Sequence, residues 1–95
     1  MEDGDLVSSK SEMSFSAWPN PAADQLYITL SNTAEGAVKV QLMDMFGRQV
    51  MVTDMGGSKE EQTIKFNLKE LSSGMYIVRV LNGENRMEQK VMLIK

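Results

Sequence analysis

The chain has 95 residues, enough for one domain with a core but too few to bury more than about two-thirds of its unfolded surface. It contains no cysteine and no histidine, which excludes disulfides and the usual zinc ligands, and no stretch approaches the roughly 20 apolar residues of a transmembrane helix. The net charge is −3 and lies entirely in residues 1–12. The remaining chain is neutral, which argues against a nucleic-acid-binding surface.

Residues 1–13 are acidic and show no apolar pattern. This composition predicts a flexible linker or N-terminal extension. We therefore divide the chain into an extension, residues 1–13, and one domain, residues 14–95.

Short alternating segments follow, separated by turn residues. They predict strands near residues 14–18, 26–31, 38–42, 49–53, 63–68, 75–81 and 91–94. The prolines at 19 and 21 end the first strand, because proline fixes φ and cannot donate to a ladder. Gly47 is the expected positive-φ residue of the turn after residue 44.

The segment from Gly74 to Leu81 is apolar on both faces except at Arg79, which predicts a strand in the middle of a sheet. Asn82-Gly83 follows it, and this dipeptide favours the two central positions of a type I′ turn. The chain should therefore end in a β-hairpin whose second strand contains the apolar residues 91–94.

Seven strands at intervals of about 10–12 residues, with no amphipathic helix between them, are typical of an all-β fold. The strands contain too much Val, Ile and Leu for a single sheet that exposes one face to water. We predict an antiparallel β-sandwich with Greek-key connections.

Catalytic chemistry has few candidate residues in this sequence. Glu60 and Glu61 are adjacent, so in a strand their carboxylates would face opposite ways, and Ser72-Ser73 has no base in a predictable position near it. We expect a protein that is not an enzyme and that holds no cofactor or metal. Trp18 could stack on a sugar or peptide, although a tryptophan that plugs the end of a sandwich is more common.

Four segments, taken in order, resemble a known family. They are Trp18-Pro19-Asn20-Pro21-Ala22-Ala23-Asp24-Gln25-Leu26, the stretch from Val40 to Val50 around Asp44-Met45-Phe46-Gly47-Arg48, the stretch from Leu71 to Val80, and Lys90-Val91-Met92-Leu93-Ile94-Lys95. Together they resemble the C-terminal sorting domain of cargo of the type IX (Por) secretion system in Bacteroidetes-type bacteria. Trp18 stands where the family often has Tyr.

The resemblance implies an immunoglobulin-like sandwich of about seven strands that serves as a transport address. It implies a cargo domain upstream in the same precursor, export to the periplasm, recognition by the outer-membrane translocon, and removal by a sortase that leaves the cargo at the cell surface or outside the cell. It implies sorting-motif residues at Pro19, Asn20, Pro21, Asp44, Gly47, Arg48, Gly74, Tyr76, Lys90, Val91, Leu93, Ile94 and Lys95. The cleavage point would lie in the linker before Phe15, and no membrane-spanning segment is implied.

An exposed final strand would suit a receptor that adds a strand to it, with Lys90 and Lys95 guarding the edge and Lys95 solvated. On this hypothesis, removal of residues 93–95 would abolish recognition and spare the strands that supply most of the core. The alternative is an immunoglobulin-like accessory or adhesive module that binds a glycan or peptide and stays attached.

Overall fold

The computed structural model describes residues 13–34 and 36–95. All seven expected strands are present: β1 (Ser14–Trp18), β2 (Gln25–Ser31), β3 (Ala37–Asp44), β4 (Gln49–Gly56), β5 (Gln62–Asn67), β6 (Gly74–Asn82) and β7 (Asn85–Leu93). The expected N-terminal extension lies outside the described residues except for Met13. Met13 differs from the expectation, because its side chain is buried among the core residues.

The strands form two antiparallel sheets, one ordered β1-β2-β5 and the other β4-β3-β6-β7. The pairs β2–β5 and β3–β6 are neighbours in space but not in sequence, so the chain crosses between the sheets in Greek-key fashion. This architecture confirms the predicted all-β sandwich. It also confirms β6 as an inner strand, lying between β3 and β7.

The core lies between the sheets and follows the alternation of the strands. In β2, β3 and β6 the inward positions are almost fully buried, while their neighbours in sequence are more exposed. The inward residues that are buried include Leu26, Ile28, Val40, Leu42, Phe66, Tyr76, Val78 and Val80, and Ile64 packs against them from β5.

The predicted turn at Asn82-Gly83 is wrong by one residue. Asn82 pairs with Asn85, so the two central residues are Gly83 and Glu84, and of these only Gly83 has positive φ (63°). Positive φ at the first central position alone is the pattern of a type II′ turn.

Asn82 instead serves as a buried polar residue at the end of β6. Its side-chain oxygen accepts a hydrogen bond from the Ala34 amide (2.6 Å), and its side-chain nitrogen donates to the carbonyls of Ala34 and Ala37 (3.2 Å each). These bonds fasten the connection between β2 and β3, because a buried amide needs partners for both its donor and its acceptor.

Strand β7 is longer than the apolar segment that predicted it. The tight turn at Gly83 sets the register, so residues 85–90 also pair with β6 despite their polar composition. The odd-numbered members Met87, Gln89, Val91 and Leu93 face the other sheet and are the less exposed ones.

Candidate functional site

The middle motif residues form the turn between β3 and β4. Asp44 is the organising side chain: its Oδ1 accepts hydrogen bonds from the backbone amides of Phe46 and Arg48 (2.9 Å each). Its Oδ2 accepts a bond from Arg48 Nε at 2.8 Å. Gly47 takes the expected positive φ of 83°, which a residue with a Cβ adopts only with strain.

Hydrogen bonding also determines the ionisation of Asp44. The backbone N–H of Arg48 is the largest cause, and together with the amide of Phe46 and the Arg48 guanidinium it holds the pKa of the Asp44 carboxyl below its ordinary value of 3.8. The carboxylate therefore stays charged at neutral pH and holds the turn closed. Farther along β4, Asp54 pairs with Lys39 of β3 at 2.9 Å.

The turn displays apolar side chains to solvent. Phe46 is 85% exposed and Met45 is 53% exposed. The Arg48 guanidinium carbon lies 5.4 Å from the centre of the Phe46 ring, within range for a cation–π contact. A ring exposed to this degree contributes little to the core, which makes it a candidate contact for a partner.

The early and terminal motifs, 70 residues apart in sequence, are joined directly. Asn20 uses both ends of its side-chain amide: Nδ2 donates to the Lys90 carbonyl (3.2 Å), and Oδ1 accepts from the Met92 amide (3.0 Å). Pro19 and Pro21 flank it, and both preceding peptide bonds are cis. Because proline has no N–H, this segment bonds to β7 through Asn20 and the residue after Pro21.

That residue is Ala22, which is buried and forms an isolated parallel bridge with Leu93. The Ala22 amide donates to the Met92 carbonyl (2.8 Å), and the Ala22 carbonyl accepts from the Ile94 amide (2.9 Å). The outer edge of the last strand is thus occupied from residue 90 to residue 94. The hypothesis of an exposed final strand is wrong for this half of β7.

A further link joins the first and last strands across the sandwich. Gln89 faces the other sheet, where its Oε1 accepts from the Ala17 amide (3.2 Å) and its Nε2 donates to the Ala17 carbonyl (3.1 Å). Residues 17–22 therefore contact β7 from Gln89 to its C-terminal end. The sequence did not identify Ala22 or Gln89 as residues that join the two segments. The one available signal was the amide side chain of Gln89 at an inward position of β7.

The other half of the β7 edge carries charges. Arg86 and Glu88 are exposed there, and Glu88 Oε2 accepts from Arg79 Nε at 2.7 Å and from Arg86 Nη2 at 3.1 Å. The bond from Arg79 is the main cause that holds the pKa of the Glu88 carboxyl below its ordinary value, followed by the bond from Arg86. Charged residues at an uncovered edge discourage pairing with another strand.

Lys95 is exposed, as the sequence suggested, but its side chain is also held by hydrogen bonds. Its Nζ donates to the carbonyls of Leu68 (2.6 Å) and Lys69 (2.9 Å), and its backbone amide donates to Ser73 Oγ (3.0 Å). The ammonium group therefore caps the turn after β5. Removal of residues 93–95 would nevertheless take away one core residue, because Leu93 is 1% exposed and belongs to the core cluster.

The late motif supports the same region from β6. Gly74 begins β6 and is the register partner of Leu93, while Tyr76 is the register partner of both Asp44 and Val91. The Tyr76 ring is buried, and its hydroxyl donates to the Ser72 carbonyl at 2.7 Å. This bond fixes the loop that carries Ser73, one of the partners of Lys95.

The register places all four motifs at one end of the sandwich, which we call the motif end: residues 19–22, 44–48, 71–76 and 90–95. The terminal motif contacts both the early motif and the late motif. The middle motif lies at the same end of the sheet but is separated from β7 by β6. The exposed large apolar side chains here are Phe46, Met45, Ile94 and Met92.

Trp18 does not plug the end of the sandwich. It is 45% exposed and stacks on Tyr27 of β2, with ring centres 4.6 Å apart and an interplanar angle of 21°. Its indole N–H donates to Thr29 Oγ1 (3.2 Å). Stacked aromatic pairs on neighbouring strands stabilise sheets, so one face of the ring is already used within the protein.

Within residues 13–34 and 36–95, no group of three or more Asp or Glu side chains is arranged to hold a metal ion. The same residues include no helix that is long and apolar enough to cross a membrane.

Comparison with known families decides the identity of the domain. Residues 16–95 match the family model described as the secretion system C-terminal sorting domain. The chain belongs to this family. It is a sorting domain of the type IX secretion system, as the four motifs suggested.

Among solved structures, the sorting domain is similar to a part of dimeric latent PorU from Porphyromonas gingivalis, with a TM-score of 0.67 and 19% identity over 86% of this chain and 9% of that chain. A similarity at this identity establishes the sandwich fold. Because the match covers 9% of the PorU chain, this chain spans only a small part of the length of that protein. A β-glucosidase from Listeria innocua in complex with glucose matches with a TM-score of 0.47 and 18% identity, over 90% of this chain and 16% of that chain. No curated protein sequence matches.

Proposed function

We propose that this sorting domain is the address that carries an exported cargo, joined to it in the same precursor, across the outer membrane through the type IX translocon. Translocon components bind the folded domain, and a sortase then cleaves the linker and leaves the cargo at the cell surface or in the medium. The observation that carries the proposal is the family match over residues 16–95. On this proposal the domain itself performs no catalysis and needs no cofactor.

The geometry of the motif end supports recognition of the domain as a folded surface. Three of the four motifs are tied together by hydrogen bonds, and the fourth displays Phe46 beside them. Exposed apolar side chains grouped at one end of a small domain are typical of a protein-binding surface. Phe46 and Ile94, at 85% and 54% exposure, are the two side chains whose loss should weaken binding most and folding least.

The test is a fusion of residues 1–95 behind a signal peptide and a reporter, in a host with the type IX machinery. We expect the intact fusion at the surface or in the medium, and Phe46→Ser and Ile94→Ser fusions held in the periplasm in a folded, protease-resistant form. Val52→Ser is the matched control, because Val52 is also exposed (41%) but lies within β4, away from the motif end. If the reporter at the surface is smaller than the fusion by the mass of the domain, the result would support cleavage.

Two outcomes would contradict the proposal. Retention of the intact fusion in the periplasm would favour the alternative, an immunoglobulin-like accessory module that binds a glycan or peptide. Equal delivery of all four fusions would mean that the exposed side chains of the motif end are not what the translocon binds.

A further inference from the structure

Asn20 makes the one side-chain contact, among the described residues, that satisfies two backbone groups on the outer edge of β7. Its amide nitrogen bonds to the Lys90 carbonyl and its amide oxygen bonds to the Met92 amide. Asparagine suits this position because it presents one donor and one acceptor on a short, planar group. Aspartate would keep the acceptor and lose the donor, and alanine would lose both.

The bonds of Ala22 continue the same row. They occupy the Met92 carbonyl and the Ile94 amide, so four successive outward groups of β7 have partners from residues 20–22. A strand can be added to a sheet only through free outward N–H and C=O groups. A partner that bound residues 90–94 by strand addition would first have to displace Asn20 and Ala22.

We propose that Asn20 is a positioning residue of the sorting signal. Its amide closes the edge of β7 and holds residues 90–94 in one conformation, so that the translocon binds the outward side chains of Met92 and Ile94 rather than adding a strand. This inference rests on the proposed function, and it assigns the early motif a defined role: it orients the terminal motif.

The two modes of binding predict different effects of Asn20→Ala on delivery. If the translocon adds a strand, Asn20→Ala unmasks the edge and delivery stays the same or improves. If the translocon binds a fixed surface, Asn20→Ala loosens the terminal motif and delivery falls, because the partner must then order residues 90–94 as it binds.

The first measurement is amide hydrogen exchange on the isolated domain. In Asn20→Ala we expect the Met92 amide to exchange about tenfold faster, the effect of one lost hydrogen bond. In Asn20→Asp the carboxylate still accepts, so Met92 should stay protected. Val91, whose backbone faces β6, reports that the domain remains folded. Asn85→Ala, at the other end of β7, is the matched control and should leave Met92 unchanged.

The second measurement is delivery of the reporter fusion. We expect loss of delivery for Asn20→Ala, partial recovery for Asn20→Asp, and full delivery for Asn85→Ala. Unchanged exchange at Met92 in Asn20→Ala would overturn the positioning role. Faster exchange with undiminished delivery would overturn the fixed-surface mode and favour strand addition. Retention of the unmodified fusion would refute the proposed function, while the exchange data would still decide whether Asn20 orders the terminal strand.

Discussion

The two edges of the four-stranded sheet are protected in different ways. At β7, Asn20 and Ala22 cover the edge from Lys90 to Ile94, and the Gln89 side chain bonds to Ala17 across the sandwich. Strand β4 receives such a bond at its last residue, where Gln62 Nε2 of β5 donates to the Gly56 carbonyl (3.1 Å). Strand β4 also exposes Val50 and Val52.

This difference shows where the sequence motifs have their structural role. Both strands end a sheet and both are long enough to pair with another chain, yet the motif residues are concentrated on one of them. Covering an edge removes free backbone groups, whereas leaving it open requires charges or twist to prevent pairing. We infer that the structural role of residues 19–22 is to cover the edge of β7, and that β4 tolerates more substitutions.

The sharpest test of this contrast removes one buried and one exposed side chain. Leu93→Ala empties a site that is 1% exposed, and we expect it to cost about 2–5 kcal/mol, a large share of the stability of a small domain. Val52→Ala should cost under about 1 kcal/mol. The midpoints of urea unfolding measure both. Equal losses at the two edges would contradict the asymmetry.

A smaller effect should follow from the loss of Gln89. Gln89→Ala removes both bonds to the Ala17 backbone, and we expect a loss of about 1–2 kcal/mol in the free energy of unfolding. The Ala17 amide should also exchange faster. Gln49→Ala on β4 is the control, because Gln49 accepts only an exposed bond from Gln41, and its cost should stay below about 0.5 kcal/mol.

Lys95 tests whether the C-terminal residue stabilises the edge that precedes it. Lys95→Met keeps an unbranched apolar side chain but removes the bonds to the Leu68 and Lys69 carbonyls, so we expect a loss of about 1 kcal/mol. Lys90→Met, on the exposed face of β7, should change stability by less than about 0.5 kcal/mol. If the two variants melt at the same temperature, the cap of the turn contributes nothing measurable.

The smallest expected effect concerns pH at the turn that begins β4. The pKa of Asp44 is lowered in the folded state, so its stabilising effect is complete above the ordinary value of 3.8 and is lost as the pH falls through the folded pKa. The Phe46 and Arg48 amide chemical shifts should titrate with a midpoint below 3.8. Asp44→Asn should abolish that titration. A midpoint at or above 3.8 would show that these hydrogen bonds are weaker in solution.

The strands could be predicted from sequence because their signal is local. Alternation in β2, β3 and β6 follows from one buried face, and Gly47 marks a turn because few other residues adopt its backbone conformation. The Asn82-Gly83 dipeptide led to a predicted turn one residue too early, because asparagine is favoured in turns and also as a buried amide with several hydrogen-bond partners. Its distant partners near Ala34 decided between the two, and no local pattern shows them.

The contacts at the motif end could not be predicted for the same reason. The bond between Asn20 and Met92 joins residues 72 apart, and Ala22 reveals nothing in sequence of its parallel bridge to Leu93. Lys95 is exposed, as expected for a lysine, but no sequence pattern shows its bond to the Leu68 carbonyl, which only the fold brings within its reach. The resemblance indicated candidate residues of the signal, and the structure supplies their geometry.

The parallel alignment of residues 20–22 with the last strand has a mechanical consequence. Ser14 begins β1 at the end of the sandwich opposite the motif end, and Lys95 emerges at the motif end. Tension applied between these two points acts along the strands, so it loads the bonds of Asn20 and Ala22 to β7 together in shear, not one after another as in unzipping. A load applied along this line is therefore shared by the four hydrogen bonds that join residues 20–22 to residues 90–94.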